Sequence, residues 1–151
     1  MNQISNKNLV LKTVFGTPSS QKMIDAGLFI ARLFMAFVFI RPGISHALEP
    51  EKLGQGVQMM TGFAPSIATN LALLLGIGEI IAGILIAIGL ITRISAAFQI
   101  FILIGAQMMF GFDYSKGPAV WKDPGLLGLA IVFLVYGPGR FSVDYLIVRS
   151  K

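Results

Sequence analysis

The chain has 151 residues, the size of one domain; 55% are hydrophobic and only 13% charged, with a mean hydropathy of +0.78. Soluble domains carry roughly 25% charged residues, so this composition excludes a protein facing water on all sides and marks an integral membrane protein. The formal charge of +5 comes from bases lying mainly outside the apolar runs, with no basic stripe interleaved with aromatics. That pattern reads as membrane orientation and headgroup contact, not nucleic-acid binding.

Cysteine is absent and His46 is the single histidine. Disulfides, thiolate chemistry and a CxxC redox pair are excluded, and no transition-metal site is expected from this chain alone.

In chain order, residues 1–24 carry Lys7, Lys12 and Lys22 among scattered apolar side chains (Leu9, Val10, Leu11, Val14, Phe15). This segment is expected to lie along the cytoplasmic membrane surface. The first predicted transmembrane helix covers Asp25 to Ala47. A cleaved signal peptide is the competing reading, but Arg32 interrupts the apolar core and no A-x-A pattern follows, so a retained helix is expected. Its outer end reads IRPGISHALEP, where Pro42 predicts a kink near Arg41. The longest loop, about Leu48 to Pro65, follows and reads either as a lid or as a turn at the lipid surface.

The second predicted span runs from Ser66 to Ile91, and a tight turn at Thr92–Arg93 leads into the third, about Ile94 to 112. A loop from Asp113 precedes the fourth. The clean apolar core of that fourth span, Gly125 to Tyr136, is short, and it reaches membrane length only when counted as Trp121 to Phe141 with aromatic anchors at its ends. Residues 142–151 then form a C-terminal segment. The expected fold is all-α, a polytopic four-helix membrane bundle in a single domain. With both termini on one side, seven bases fall there and three opposite, which places the termini in the cytoplasm.

Glu79 stands alone in LLLGIGEIIAGILIAIGL, residues 73–90. An ionised carboxylate in hydrocarbon costs several kcal/mol, so it must be neutral, paired or beside a wet cavity. Ala72, Gly76, Glu79 and Gly83 share one helix face, and small residues there let a second helix approach. Glu79 is therefore expected to point into the bundle. Counting depth from flush helix ends makes Arg32 its candidate partner across an intramembrane ion pair. Two readings stand for that pair: a fixed helix register, or a polar site for a ligand or proton.

Arg41, His46 and Trp121 fall towards the outer interface. They read either as headgroup-facing side chains or as the lining of an outer-leaflet pocket whose donors suit a quinone carbonyl. Gln99 and Gln107 interrupt the third span, where interhelical hydrogen bonding is the plainer expectation, with Gln107 also a candidate ligand-facing group. The Met108–Met109 pair reads as packing, not as a metal site. YGPGRFSVDYL, residues 136–146, reads as a membrane-exit turn. Gly137 closes a helix, Pro138 stops it, Gly139 keeps the turn open, and Ser142 caps a short second helix. Asp144 suits that helix's dipole, and Arg140 is expected to pair with Asp144 or with lipid phosphate.

Taken together, Arg32, the Gly43–His46 turn (GISH), Glu79 with the Gly83, Gly89, Leu90, Thr92 and Arg93 that follow it, and GPGRFSVD at Gly137 to Asp144 make the chain similar to the DoxX family of small four-helix membrane proteins. The resemblance spans about Ala26 to Asp144. It implies a multi-pass protein of a prokaryotic plasma membrane, linked to quinone-dependent oxidation as in thiosulfate:quinone and quinol-oxidase systems. No catalytic residues are expected in the chain itself, nor an intrinsic redox cofactor; a quinone is the one ligand implied. Membrane lipids and other membrane subunits are the expected partners. Two alternatives remain: a purely structural subunit of a larger complex, and a small transporter with Glu79 carrying a proton or ion.

Overall fold

The structure is a computed structural model that describes residues 20–111 and 118–150. The expectation for the N-terminal surface segment therefore lies mostly outside the described residues, as does most of the loop after Asp113. The described residues form six helices and no strands. They are α1 (Gln21–Leu48), α2 (Pro50–Thr61), α3 (Pro65–Ile88), α4 (Thr92–Phe110), α5 (Pro118–Tyr136) and α6 (Val143–Arg149).

Among the described residues, α1, α3 and α4 are long and apolar enough to cross a membrane. α1 starts where the Ser20 side chain accepts from Met23 N at 3.3 Å, an N-cap. It continues for 28 residues, through Pro42 to Leu48, so the proline lies inside the helix. α5 carries Lys122, Asp123 and Pro124 in its first turns and packs mainly on α4.

The loop expected between the first two spans is largely helical. Pro50 at the first helical position and Glu51 in the first turn start α2, and Gly62 with φ 71° ends it. Both signals are written in the segment, but its polar composition hides the helix between them. α2 turns Gly54 and Val57 inward, and Gly54 lies so close to α3 that a Cβ would stand 3.0 Å from Thr69 Cα.

α1 and α3 run antiparallel and make the most extensive helix–helix contact among the described residues. Glycines set its closeness. A Cβ on Gly76 would stand 2.8 Å from Ala47 N, one on Gly43 would stand 2.9 Å from Glu79 Cβ, and one on Gly83 would meet Ile40 Cγ1 at 2.6 Å. The small-residue face of α3 is therefore filled by α1 of the same chain. Met35 and Phe39 of α1, Ile86 of α3, Ala96 and Leu103 of α4, and Ala130 and Phe133 of α5 close one core cluster.

Gly76→Ala is expected to lower the thermal midpoint in detergent, because overpacking a tight contact costs roughly 1–3 kcal/mol. Gly105→Ala, where a Cβ meets nothing within 4 Å, is the control and should hold or raise the midpoint.

Candidate functional site

The α1–α3 contact decides what Glu79 meets. Gly76 leaves room for His46, whose Cβ would lie 2.9 Å from a Cβ added there. His46 Nδ1 then sits 2.8 Å from Glu79 Oε2. Glu79 is 5% exposed, and the His46 side chain is 29% exposed, so the pair runs from a buried carboxylate to an accessible ring. With Glu79 ionised, the carboxylate can only accept, Nδ1 donates, and Nε2 keeps a lone pair; with Glu79 protonated the roles reverse. Either form places a proton between the two side chains and leaves Nε2 as the outward-working atom.

His46 lines an open cleft of 540 Å³ together with Phe37, Val38, Arg41, Pro42, Ser45 and Lys122. The cleft combines an apolar wall from α1 with two cationic side chains. Lys122 is shared with buried Asp123 at 3.2 Å. Of the residues expected at the outer interface, Arg41 and His46 share this cleft. Trp121, 61% exposed, is not among the residues lining it; its neighbour Lys122 is. Gln107 is not among them either. Among the described residues no group of three His, Asp or Glu side chains is placed to hold a metal ion.

Arg32 does not pair with Glu79. Its Nη2 donates to the Phe141 carbonyl, and Nη1 lies against Gly89, where a Cβ would collide with it. Arg32 therefore stands level with the end of α3, ten residues beyond Glu79, or about 15 Å along the helix. The depth count fails because the helix ends are not flush. The first turns of α1 project past the end of α3, and the exit motif covers them.

That motif is a clasp. Gly137 and Gly139 take φ of 79° and 78°, and Gly137 N closes α5 on Phe133 O at 3.0 Å. Ser142 Oγ caps α6 by accepting from Tyr145 N at 3.2 Å. Asp144 reaches further than its own helix. It accepts from Ile91 N at 2.7 Å and Thr92 N at 2.9 Å, which caps α4, and its own N–H donates to Gly89 O at 2.9 Å. Ile91 is held at φ 43°, a conformation a β-branched residue avoids, and Asp144 pins it there. Arg140 pairs with Asp25 of α1, not with Asp144: its backbone N donates to Oδ1 at 3.0 Å and Nε lies 3.7 Å from Oδ2. Asp25 and Lys122 are the site residues that sequence reasoning does not single out. In the sequence Asp25 reads only as the edge of a span, and Lys122 only as one base in the charge count.

Asp144→Ala removes the α4 cap, a loss worth about 0.5–2 kcal/mol, and also removes the carboxylate nearest in charge to Arg32. Its thermal midpoint should fall further than that of Arg149→Ala on the exposed end of α6, which is the measurement to compare.

Comparison with known proteins places the chain among membrane proteins. The DoxX family model matches residues 27–111, which takes in most of α1 and all of α2, α3 and α4. The chain is 32% identical over 145 residues to an uncharacterized membrane protein, Rv3486, of Mycobacterium tuberculosis, covering 84% of this chain and 87% of that one. It is 25% identical over 133 residues to the Escherichia coli inner membrane protein YqjF, covering 86% and 98%. It is 29% identical over 126 residues to the E. coli inner membrane protein YphA, covering 78% and 87%. No solved structure matches the chain. A multi-pass membrane protein with this helix order and this matched core belongs to the DoxX family.

Proposed function

We propose that this protein is a small accessory subunit of a quinone-linked membrane oxidoreductase, and that its cleft takes the quinone ring. The observation that carries the reading is the His46–Glu79 pair: a buried carboxylate bonded to an imidazole that opens into a cleft with cationic neighbours. A structural subunit has no need of such a pair, since an apolar residue at position 79 would pack without the cost of burying an acid.

The residues present suit the ligand. Phe37 and Val38 offer an apolar wall, Arg41 and Lys122 offer N–H donors for a carbonyl oxygen, and His46 offers Nε2. Bound there, a quinone would supply the two-electron chemistry that no side chain of this chain provides. His46 takes or gives the proton at Nε2, and Glu79 stabilises whichever ring form results through Nδ1. Electrons pass through a partner subunit.

The reading includes four spans, with α5 as the fourth, and both termini in the cytoplasm. The excess of bases on the terminal side supports that orientation. The two E. coli relatives are inner membrane proteins, which supports the plasma membrane of a prokaryotic cell as the location.

Gentle extraction from native membrane followed by mass spectrometry of bound protein and lipid tests the proposal. A quinone retained near one per chain with an oxidoreductase partner, and reduced at least tenfold by Arg41→Ala or His46→Ala, is the expected result. A partner retained without quinone would leave only a packing role, and a homo-oligomer carrying neither would turn attention to transport.

A further inference from the structure

α4 buries a row of polar side chains for which the protein supplies no partners. Thr92 and Gln99 are 0% exposed and Ser95 is 3%. Thr92 Oγ1, Ser95 Oγ and both polar atoms of the Gln99 amide are shielded and make no hydrogen bond. Spacings of three and four residues put all three on one helix face with Ala96, a member of the core cluster. The same is true of two atoms of Arg32: Nε and Nη1 are buried without acceptors. Arg32 lies against Gly89, three residues before Thr92 in the same turn, and Asp144 serves both, attracting the guanidinium and accepting from Thr92 N.

Six such atoms, four on α4 and two on Arg32 of α1, are costly, because neither lipid nor the apolar core side chains Met35, Ile86 and Phe133 can bond them. A ligand with both donors and acceptors resolves the cost. Charge decides between an anion and water. Arg32, the one buried base among the described residues at this end, is offset by Asp144, and Arg93, Arg140 and Arg149 are exposed, so no unbalanced buried charge calls for an anion. A hydroxyl, a second hydroxyl and an amide that both donates and accepts suit water, which makes about three hydrogen bonds when buried.

We infer that this end of the bundle holds a file of bound water that starts at Arg32 Nε and Nη1 and runs along Thr92 and Ser95 to Gln99. The file spans seven residues of α4 from Thr92, or about 10 Å. Its far end has a consequence for Glu79. A Cβ on Gly78 would stand 2.6 Å from Phe98 Cζ, so the ring of Phe98, the residue before Gln99, reaches the residue before Glu79 on a neighbouring face of α3. Water thus approaches the level of the buried carboxylate from the end of the bundle opposite the cleft, while His46 opens it on the other side. Leu103, buried, separates this file from the Gln107 amide, whose polar atoms are also shielded without partners. The inference rests on the orphaned polar atoms and does not depend on a quinone in the cleft.

Water-edited solid-state NMR on the intact chain in deuterated lipid bilayers tests it. Magnetisation from water should reach the Gln99 side-chain amide and the Ser95 signals at least threefold faster than those of Ala130, a buried core residue. Build-up at Gln99 no faster than at Ala130 would overturn the file. Gln99→Leu gives a second readout by thermal unfolding. In a hydrated file the leucine breaks the chain, the midpoint holds or falls, and the water signal at Ser95 drops by half or more. In a dry interior the leucine removes an unsatisfied amide, so the midpoint rises while Ser95 is unchanged, and that result would also overturn the inference.

Discussion

The close approach of α1 and α3 is the constraint on which the rest depends. Gly43, Gly76 and Gly83 remove the side chains that would hold these helices apart, and at that separation His46 reaches Glu79. A carboxylate in the middle of an apolar helix is tolerated only if something satisfies it. The glycines make the satisfying group a side chain of the neighbouring helix. That group in turn lines a cleft. Packing, the buried acid and the candidate ligand site are thus one arrangement, and adding a methyl at Gly76 would disturb all three together.

The two ends of the bundle solve different problems. At one end the polar groups are arranged around an opening, with Arg41, His46 and Lys122 on the wall of a cleft. At the other end they are used for closure. Asp144 caps α4, holds Ile91 in its left-handed conformation and offsets Arg32; Asp25 takes the backbone and side chain of Arg140. The GPGRFSVD segment is therefore a clasp across the ends of α1, α3 and α4. Its two left-handed glycines allow the chain to double back onto α1, where a Cβ on Gly139 would lie 3.2 Å from Asp25 Oδ1.

Much of this is legible in the sequence. The isolation of Glu79 and its face of Ala72, Gly76 and Gly83 point to a buried acid turned towards another helix, and that is where it lies. Gly137 and Ser142 carry their cap roles in their residue types. The partner of Glu79 is not legible, because a depth count assumes flush helix ends and the overhang of α1 beyond α3 depends on how the clasp folds back. The reach of Asp144 to Ile91 and Thr92 is hidden for a related reason: its nearest helix by sequence is α6, and only tertiary structure brings the start of α4 to it. α2 is concealed by its composition: its apolar residues do fall on one face, as in an amphipathic surface helix, but the segment as a whole is too polar to stand out beside the apolar spans.

The central claim is that Glu79 is satisfied by His46, and a pair of double-mutant cycles on thermal or chemical unfolding in lipid nanodiscs tests it most directly. For His46→Ala with Glu79→Gln the account predicts a coupling of about 0.5–3 kcal/mol, the range for residues in contact. For Arg32→Lys with Glu79→Gln it predicts additivity to within about 0.5 kcal/mol, as for separated sites. Coupling between Arg32 and Glu79 with additivity between His46 and Glu79 would contradict the account and restore the ion pair that the sequence alone suggests.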